Sequence, residues 1–297
     1  MDLTSQPFVL DRWAAGRPLG RGGMGAVYEA VDRVSGERCA VKVLRSGGDA
    51  SSAPPRADPR VLRELRTAEA LVHAHVVRTL ASGHADGRYF LVMELCESGS
   101  LHHLVRRQGP LPAETAVGLF LDVLDGLQYA HSAPLGAVDA QGREVPVTGV
   151  VHRDIKPLNL LLKGGSGDLQ VKIADFGLAK SYELAGASGV TRTGASAGTP
   201  AFMPRQQVAN FKYARPDVDV WAVAASLYFV LSGQVPRDFA PGRDPWLTAW
   251  NTPPVPLAAR GRKVPPRLAR VVDDALRDTP RIHFPTAAAF GAALAAV

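Results

Sequence analysis

The stretch that decides the fold is VVHRDIKPLNLLL, which runs from Val150 to Leu162. It places a histidine, two cations, an aspartate and an asparagine in a strip that otherwise consists mostly of valine, isoleucine and leucine. A charged side chain bedded among apolar residues is costly unless something pairs with it. We therefore expect these polar groups to serve a site, and we expect other parts of the chain to supply their partners.

The composition limits the classes of protein that the chain can form. Its 297 residues, 46% hydrophobic and 21% charged, suffice for one large domain or two lobes of an ordinary soluble protein. No segment approaches the ~20 apolar residues that span a bilayer, and the N-terminus lacks a signal-peptide pattern. The net charge is +6, but the basic residues are scattered without an aromatic-interleaved patch, so we expect no nucleic-acid partner.

Cysteine usage predicts the compartment. Cys39 and Cys96 are the only cysteines, so no disulfide framework is expected and a reducing environment fits best. We expect a cytoplasmic protein or the cytoplasmic part of a longer, membrane-anchored one.

The first third of the chain predicts mostly β-structure. Residues 17–32 and 36–45 predict two strands joined by a turn at Ser35-Gly36, and residues 75–95 predict a hairpin that turns at Asp86-Gly87. Between them, residues 45–59 are rich in Gly, Ser, Pro and Ala and predict a mobile loop. Asp58-Pro59 then predicts the start of a helix, whose apolar face carries Val61, Leu65, Ala68 and Val72.

Beyond residue 98 the pattern becomes helical. Residues 112–131 and 217–233 predict long helices, and the second is apolar nearly all round and therefore buried. The fold class is α+β, with one domain over 1–297 in two lobes. A small β-rich N-lobe with one regulatory helix covers about 10–95, a hinge covers about 94–98, and a larger, mainly helical C-lobe covers about 99–295. A cleft between two lobes is a common place for a ligand.

A glycine motif near the N-terminus predicts phosphate binding. Gly20, Gly22 and Gly25 form a G-x-G-x-x-G-x-V pattern that ends at Val27. Glycines let the backbone bend closely over phosphates and offer its N–H groups to them. Dinucleotide-binding turns share the G-x-G-x-x-G pattern, but there the glycines open a helix. Here the β-prone AVYEAV follows, which favours a hairpin that covers phosphates.

Two lysines and four oxygen-bearing residues complete the predicted chemistry. Lys42 in CAVKV is suited to gripping phosphate oxygens, and either Glu64 or Glu69 can orient it, with Glu64 preferred because it lies nearer the apolar face of its helix. In the VVHRDIKPLNLLL stretch, Asp154 would accept the proton of an attacking hydroxyl or orient that hydroxyl. Lys156 would neutralise charge on a transferred phosphoryl group. Asn159, with Asp175 at the end of VKIADFG, would hold Mg²⁺ (or Mn²⁺).

This combination, in this order, resembles the protein kinases from about Leu19 to Ala292. The resemblance implies the protein kinase fold, with ATP under the glycine loop, Lys42 paired to the α/β-phosphates and to Glu64, and Asp154 as catalytic base. It implies that Met93 is the gatekeeper, that the backbone of Glu94 and Cys96 bonds adenine, and that Val27, Ala40 and Leu161 sandwich the purine. The implied nucleotide-contacting residues are Leu19, Gly20, Arg21, Gly22, Gly23, Met24, Gly25, Ala26, Val27, Ala40, Lys42, Met93, Glu94, Cys96 and Leu161.

Lys156 and Thr199 resemble the residues of Ser/Thr kinases, and GGMGAVY is similar to the bacterial Hanks-type enzymes. The resemblance implies ATP-dependent transfer to Ser/Thr hydroxyls of proteins. It also implies autophosphorylation at Thr191 or Thr193, with self-association for transfer in trans, and a phosphate that pairs with Arg153. Incidental threonines in a polar loop are the alternative reading of that segment. For the whole chain, the alternatives are a pseudokinase scaffold without turnover and, less well supported, a small-molecule phosphotransferase.

Three further features concern the C-lobe. Asp219 in DVDVW aligns with the family Asp that braces the HRD turn. Pro204, Arg205 and Gln206 stand where the family reads A-P-E, which predicts Gln206 opposite His283 in place of an ion pair, with Arg281 as a rival partner. Residues 132–150 form an insertion, which predicts a small hairpin around Gln141-Gly142, either a docking surface or, more simply, a tolerated surface addition.

Overall fold

A computed structural model describes residues 11–22, 25–44, 59–138, 144–165, 168–176, 200–211, 214–261 and 263–297. These residues divide into two compact units. Unit 1 holds the described residues of 11–72 and 77–95, and unit 2 holds 73–76, 96–176 and 200–297.

Unit 1 is built on a five-stranded antiparallel sheet of order β1-β2-β3-β5-β4. Three strands precede the helix, where the sequence predicted two, because the glycine-rich segment reverses the chain. Gly22 pairs directly with Gly25, so what was predicted as one strand is a tight hairpin of two. The strands are β1 (Trp13–Gly22), β2 (Gly25–Asp32), β3 (Arg38–Leu44), β4 (Thr79–Ala85) and β5 (Arg88–Glu94).

Both predicted turns of this sheet are confirmed. The chain turns at Ser35-Gly36, where Gly36 has a φ of 75° and its N–H donates to the carbonyl oxygen of Asp32 over 2.8 Å. It turns again at Asp86 and Gly87, with φ of 49° and 71°. Glycine and aspartate tolerate this left-handed region better than other residues, which is why the sequence located the turns.

Helix α1 (Pro59–Glu69) begins at the predicted proline. Val61, Leu65 and Ala68 are buried as expected, but Val72 lies beyond the helix end and is 57% exposed. Leu71, whose N–H bonds to the carbonyl of Ala68, is buried instead. The periodic pattern extended the helix too far because it took no account of where the helix ends. The predicted N-cap Asp58 and the loop before it lie outside the described residues.

One face of the sheet carries the core of unit 1. Buried side chains of β2, β3 and β5 form this cluster, and Trp13 and Tyr28 pack against it. Its buried members are Ala30, Cys39, Val41, Val43, Phe90 and Val92.

Unit 2 is mainly helical, as predicted. Its helices are α2 (Leu101–Gln108), α3 (Ala113–Ser132), α4 (Arg205–Ala209), α5 (Pro216–Ser232), α6 (Pro245–Asn251), α7 (Pro266–Ala275) and α8 (Ala287–Ala295). The two long predicted helices are confirmed as α3 and α5, and α5 is buried on all sides from Val218 to Ser232. No helix in the described part of the chain is both long and apolar enough to cross a membrane.

Two short hairpins interrupt the helices of unit 2. The first, β6 (Pro134–Val138) with β7 (Glu144–Thr148), confirms the hairpin predicted in the insertion, although its turn at Gln141-Gly142 lies outside the described residues. The second, β8 (Leu160–Lys163) with β9 (Gln170–Ile173), begins with the last three residues of the VVHRDIKPLNLLL stretch and positions the polar residues before it.

Candidate active site

The candidate catalytic loop is residues 150–159, between β7 and β8, and a distant carboxylate braces it. Asp219, fully buried on α5, accepts hydrogen bonds from the backbone N–H groups of His152 and Arg153, each over 2.7 Å. It also bonds Nε2 of His131 over 2.8 Å. Arg153 has a φ of 66°, a strained value for a residue other than glycine, and such strain persists only where surrounding contacts fix it. The predicted brace is therefore confirmed.

The polar side chains of the loop pair with one another around Asp154. Lys156 Nζ donates to both carboxylate oxygens of Asp154, over 3.0 and 2.8 Å. Asn159 Nδ2 donates to the backbone oxygen of Asp154 over 2.8 Å and to its Oδ2 over 3.1 Å. These bonds hold the carboxylate in one orientation and keep it beside a cation. Most of the partners of the polar residues in this apolar stretch therefore come from the stretch itself.

The histidine of the loop links it to β9. His152 Nε2 lies 2.7 Å from the carbonyl oxygen of Ala174, which can only accept, so Nε2 carries the proton. Nδ1 of the same ring then accepts the N–H of Asp154 over 3.2 Å. This neutral tautomer ties the backbone of Asp154 to the segment that ends in Asp175.

Asn159 and Asp175 flank adjacent ends of the β8–β9 pair. Leu160 pairs with Ile173, and the N–H of Ala174 donates to the backbone oxygen of Asn159 over 2.9 Å. Since Asn159 commits its amide nitrogen to Asp154, its Oδ1 is the atom left for a cation. An amide oxygen and a carboxylate are a donor set that fits Mg²⁺. Asp175 has a φ of 69°, and Gly177, two residues on, lies outside the described residues.

Five of the predicted nucleotide-binding residues of unit 1 share the sheet face opposite the core cluster, namely Gly20, Val27, Ala40, Lys42 and Met93. Val27 pairs with both Gly20 and Lys42, and Ala40 pairs with Met93. Directly paired residues of antiparallel strands lie on the same face. Lys42 is 6% exposed. The side chain of Glu64, its predicted partner on α1, lies outside what the structure describes.

The three motif glycines are not equivalent. Gly25 has a φ of 144°, and a Cβ there would lie 2.1 Å from the carbonyl oxygen of Val43. At Gly20 and Gly22 a Cβ would meet nothing within 4 Å. Gly25 is therefore required by the fold, whereas Gly20 and Gly22 leave open space above the strand. Gly23 and Met24 lie outside the described residues.

The remaining residues predicted to contact the nucleotide are among the described ones, but their side chains do not all face the same surface. Leu19 and Arg21 are exposed on β1, while Ala26 on β2, Cys96 and Leu161 are half-buried. The backbone N–H of Glu94 is used within unit 1, where it donates to the carbonyl of Arg78 over 2.9 Å. Only other backbone atoms of Glu94 can then serve adenine.

The expectation that Gln206 faces His283 is wrong. Gln206 Nε2 donates to the backbone oxygen of Asp278 over 2.5 Å, and its buried Oε1 bonds to no described residue, which excludes Arg281 as well. His283 instead bonds Arg277 over 2.7 Å. The neighbour of Gln206, Arg205, forms the ion pair of this segment, with Asp278. An ungapped alignment keeps residue order but carries no information on which side chain points inward.

Sequence reasoning missed two buried polar groups in unit 2. Arg237 is fully buried and pairs with Asp278 over 2.8 Å, and Gln207 on α4 donates to the backbone oxygen of Arg153 over 2.5 Å. No local pattern indicated either of them, because their partners are distant in the sequence.

The predicted phosphorylation sites Thr191 and Thr193, like Ser196 and Thr199, lie outside the described residues. Arg153, their predicted partner, is described: its Nε is buried and has no hydrogen-bond partner among the described residues. A buried donor of this kind is costly unless an acceptor reaches it.

The sheet with one helix in unit 1, and the braced Asp154 loop among the helices of unit 2, define a two-lobed protein kinase fold. The family model described as the protein kinase domain matches residues 13–244. The chain belongs to the protein kinase family, and both the family and the fold class predicted from the sequence are confirmed.

Curated relatives of the chain are serine/threonine kinases, mostly bacterial. PknB of Mycobacterium leprae is 30% identical over 294 residues, which cover 96% of this chain and 43% of that protein. The probable serine/threonine-protein kinase pknA2 of Bifidobacterium longum is 33% identical over 76% of this chain and 27% of its own length. The chain thus spans less than half the length of these relatives.

Solved structures support the fold alone, since their identities are low. A Rad53 fragment in complex with AMP-PNP aligns with a TM-score of 0.71 and 23% identity, over 94% of this chain and 64% of that one. The PknI kinase domain of Mycobacterium tuberculosis aligns with a TM-score of 0.66 and 22% identity, over 96% and 95%.

Proposed function

We propose that the chain is a serine/threonine protein kinase that transfers the γ-phosphoryl group of ATP to protein hydroxyls. The observation that carries this proposal is the bonded group of Asp154, Lys156 and Asn159 on a braced loop. The Asp154 carboxylate is oriented to accept the proton of an attacking hydroxyl or to align that hydroxyl. Lys156, already beside it, supplies a positive charge for the oxygens of the transferred group.

Asn159 and Asp175 are the residues that would hold Mg²⁺ or Mn²⁺. When bound, such an ion neutralises charge on the phosphate oxygens. Carboxylate and amide oxygens suit Mg²⁺, which keeps few protein ligands and completes its shell with phosphate and water.

For the nucleotide, we assign to unit 1 the roles that the family resemblance implies. Gly20 and Gly22 leave room for phosphates to approach the backbone, which supports the glycine loop as the phosphate cover. Lys42, on the sheet face opposite the core, would grip the phosphates with Glu64 as its orienting partner. Val27, Ala40 and Met93 present an apolar surface on that same face for the purine. By the same resemblance, the backbone of Cys96 and the side chain of Leu161 would also contact the purine.

Regulation by phosphate at Thr191 or Thr193 is part of the proposal. The support is the buried Nε of Arg153, which bonds to no described residue and would gain a strong acceptor in a phosphothreonine. Substrates would be proteins with Ser or Thr, including a second copy of this chain for transfer in trans. A cytoplasmic setting is proposed, as a free protein or as part of a longer, membrane-anchored one.

The experiment is autophosphorylation with MgATP, with sites mapped by mass spectrometry. The variant Asp154→Asn removes the carboxylate, and Asp168→Asn makes the same chemical change at an exposed residue as a matched control. We expect phosphate on Thr191 or Thr193 in the parent and in Asp168→Asn, and a loss of at least about 100-fold in Asp154→Asn.

Nucleotide binding is measured on the same samples by thermal shift with MgATP. Stabilisation by nucleotide without phosphate transfer in the parent would overturn the enzyme proposal and leave a nucleotide-binding scaffold. Equal activity in parent and Asp154→Asn would show that Asp154 is not the base.

A further inference from the structure

A buried ion cluster lies at the start of α4. Asp278 accepts from two arginines: Arg205 through its guanidinium and its backbone N–H, the latter over 3.0 Å, and Arg237 over 2.8 Å. Arg237 and Asp278 are essentially inaccessible, at 0% and 1% side-chain exposure. Burial lowers the pKa of Arg237 to about 10, so this guanidinium keeps its positive charge at neutral pH.

The cluster fixes the backbone at the first residue of α4 and just before it. Arg237 donates to the carbonyl oxygen of Met203 over 2.8 Å and to that of Thr252 over 3.0 Å, and its guanidinium lies 4.6 Å from the ring centre of Trp221. Arg205 also donates to the carbonyl oxygen of Trp250 over 2.6 Å. Charge-assisted bonds of this kind are stronger than neutral ones, so the position of α4 is firmly held.

Gln207, two residues after Arg205 on α4, connects this fixed helix to the loop that holds Asp154. Gln207 is 2% exposed, and its Nε2 donates to the carbonyl oxygen of Arg153 over 2.5 Å. That carbonyl belongs to the peptide bond between Arg153 and Asp154. Asp219 on α5 holds the N–H of Arg153, so the strained residue before Asp154 is held from two elements at once.

We propose that Gln207 is a positioning residue for Asp154, anchored by the Arg205–Asp278–Arg237 cluster. It orients the Arg153–Asp154 peptide while Asp219 holds the preceding one. The role in turnover rests on the proposed kinase function, whereas the role in fixing the loop does not. Gln206 stands where the family has a Glu that forms an ion pair. In this chain the Arg205–Asp278–Arg237 cluster replaces that ion pair, and Gln207 adds a hydrogen bond to the loop.

The first test measures the loop itself, without any need for activity. Gln207→Leu removes the donor at similar volume, and Gln206→Leu is the matched control on the same helix, since Gln206 makes no bond to the loop. Hydrogen exchange of peptides covering residues 150–158 is followed by mass spectrometry. We expect exchange to rise at least about fivefold in Gln207→Leu and to stay near the parent rate in Gln206→Leu. Equal exchange in the two variants would overturn the proposal.

The second test separates positioning from stability by kinetics. We expect Gln207→Leu to lower kcat by about 10- to 100-fold with little change in the KM for ATP, because misplaced groups slow the chemical step more than they weaken binding. Gln206→Leu should stay within about twofold of the parent. A parent without activity would refute the kinase function and leave the exchange result to decide the positioning role.

A pH profile provides the rescue that a purely structural role would not show. In Gln207→Glu, an ionised carboxylate faces the Arg153 carbonyl and cannot donate, whereas a protonated one can. Burial raises a carboxyl pKa, so kcat relative to the parent should increase as the pH falls from about 8 to about 6. A ratio that does not vary with pH would contradict donation by residue 207.

Discussion

At the scale of single residues, one buried carboxylate accounts for the unusual backbone of the catalytic loop. Asp219 satisfies two backbone N–H groups and the ring of His131. An unpaired aspartate at this depth would be costly, and an unsupported Arg153 at a φ of 66° would relax to a commoner conformation. Each therefore stabilises the other, and Asp154 takes its orientation from the result.

Substitutions at Gly25 and Gly22 separate an effect on folding stability from an effect on nucleotide binding. In Gly25→Ala the new methyl would clash with the carbonyl oxygen of Val43 at an unfavourable φ, so we expect a loss of about 1–3 kcal/mol in unfolding free energy. In Gly22→Ala nothing lies within 4 Å, so stability should stay near that of the parent while nucleotide affinity falls. Thermal unfolding with and without MgATP measures both. Equal destabilisation by the two variants would contradict the assignment.

At the scale of elements, turn residues and apolar periodicity located most of the hairpins and the long helices. The turn residues placed the β2–β3 and β4–β5 hairpins of unit 1, and apolar periodicity placed α3 and α5 within a residue or two. Val72 was misplaced because periodicity does not mark the end of a helix. The hairpin expected at the glycine motif is confirmed as β1–β2, although the strand pattern alone counted residues 17–32 as one strand.

The β6–β7 hairpin should be removable. Its base is closed by the N–H of Gly149, which donates to the carbonyl oxygen of Ala133 over 2.9 Å, so a short turn can join the two ends. Gly149 must remain, since a Cβ there would lie 2.1 Å from the carbonyl of His131.

Replacing residues 134–148 by an Asn-Gly turn should cost no more than about 3 kcal/mol, chiefly the burial of Leu135. Urea unfolding gives the value, and Leu135→Ala in the full chain should reproduce most of it. Failure of the shortened chain to fold would show that the insertion is part of the core of unit 2.

At the scale of the whole molecule, pH acts on stability through half-buried carboxylates such as Asp273. Burial raises the pKa of Asp273 on α7 above its ordinary value near 3.8, although its Oδ1 accepts the N–H of Leu257 over 2.9 Å. The folded chain therefore binds a proton at pH values where the unfolded chain has released it. Its stability falls as the pH rises through that window.

Asp273→Asn keeps an acceptor for the N–H of Leu257 but removes the half-buried charge. We expect it to raise the melting temperature at pH 7, with a gain that shrinks as the pH falls toward about 4. Asp274→Asn is the matched control, because Asp274 is 39% exposed in a 3.6 Å pair with Arg277 and should show no such gain. A gain in Asp273→Asn that is the same at both pH values would refute the burial argument.

The sequence by itself determined the residues that act over short distances. Asp154, Lys156 and Asn159 lie within six residues of one another, so their mutual pairing follows from the local chain once the loop forms. The closeness of Asn159 and Asp175, the pair that we propose for the metal, was also predictable, because each residue stands next to a recognisable strand end.

Only the tertiary structure decided which distant side chains meet. Asp278 pairs with Arg205 across 73 residues, and Gln207 reaches Arg153 across 54. Such pairings depend on the path of the chain through several helices, and a one-residue shift in α4 turns a different side chain inward. For that reason the sequence indicated only that the usual ion pair is altered at residues 204–206. The structure shows that Arg205 forms the ion pair and that Gln207 bonds to the loop.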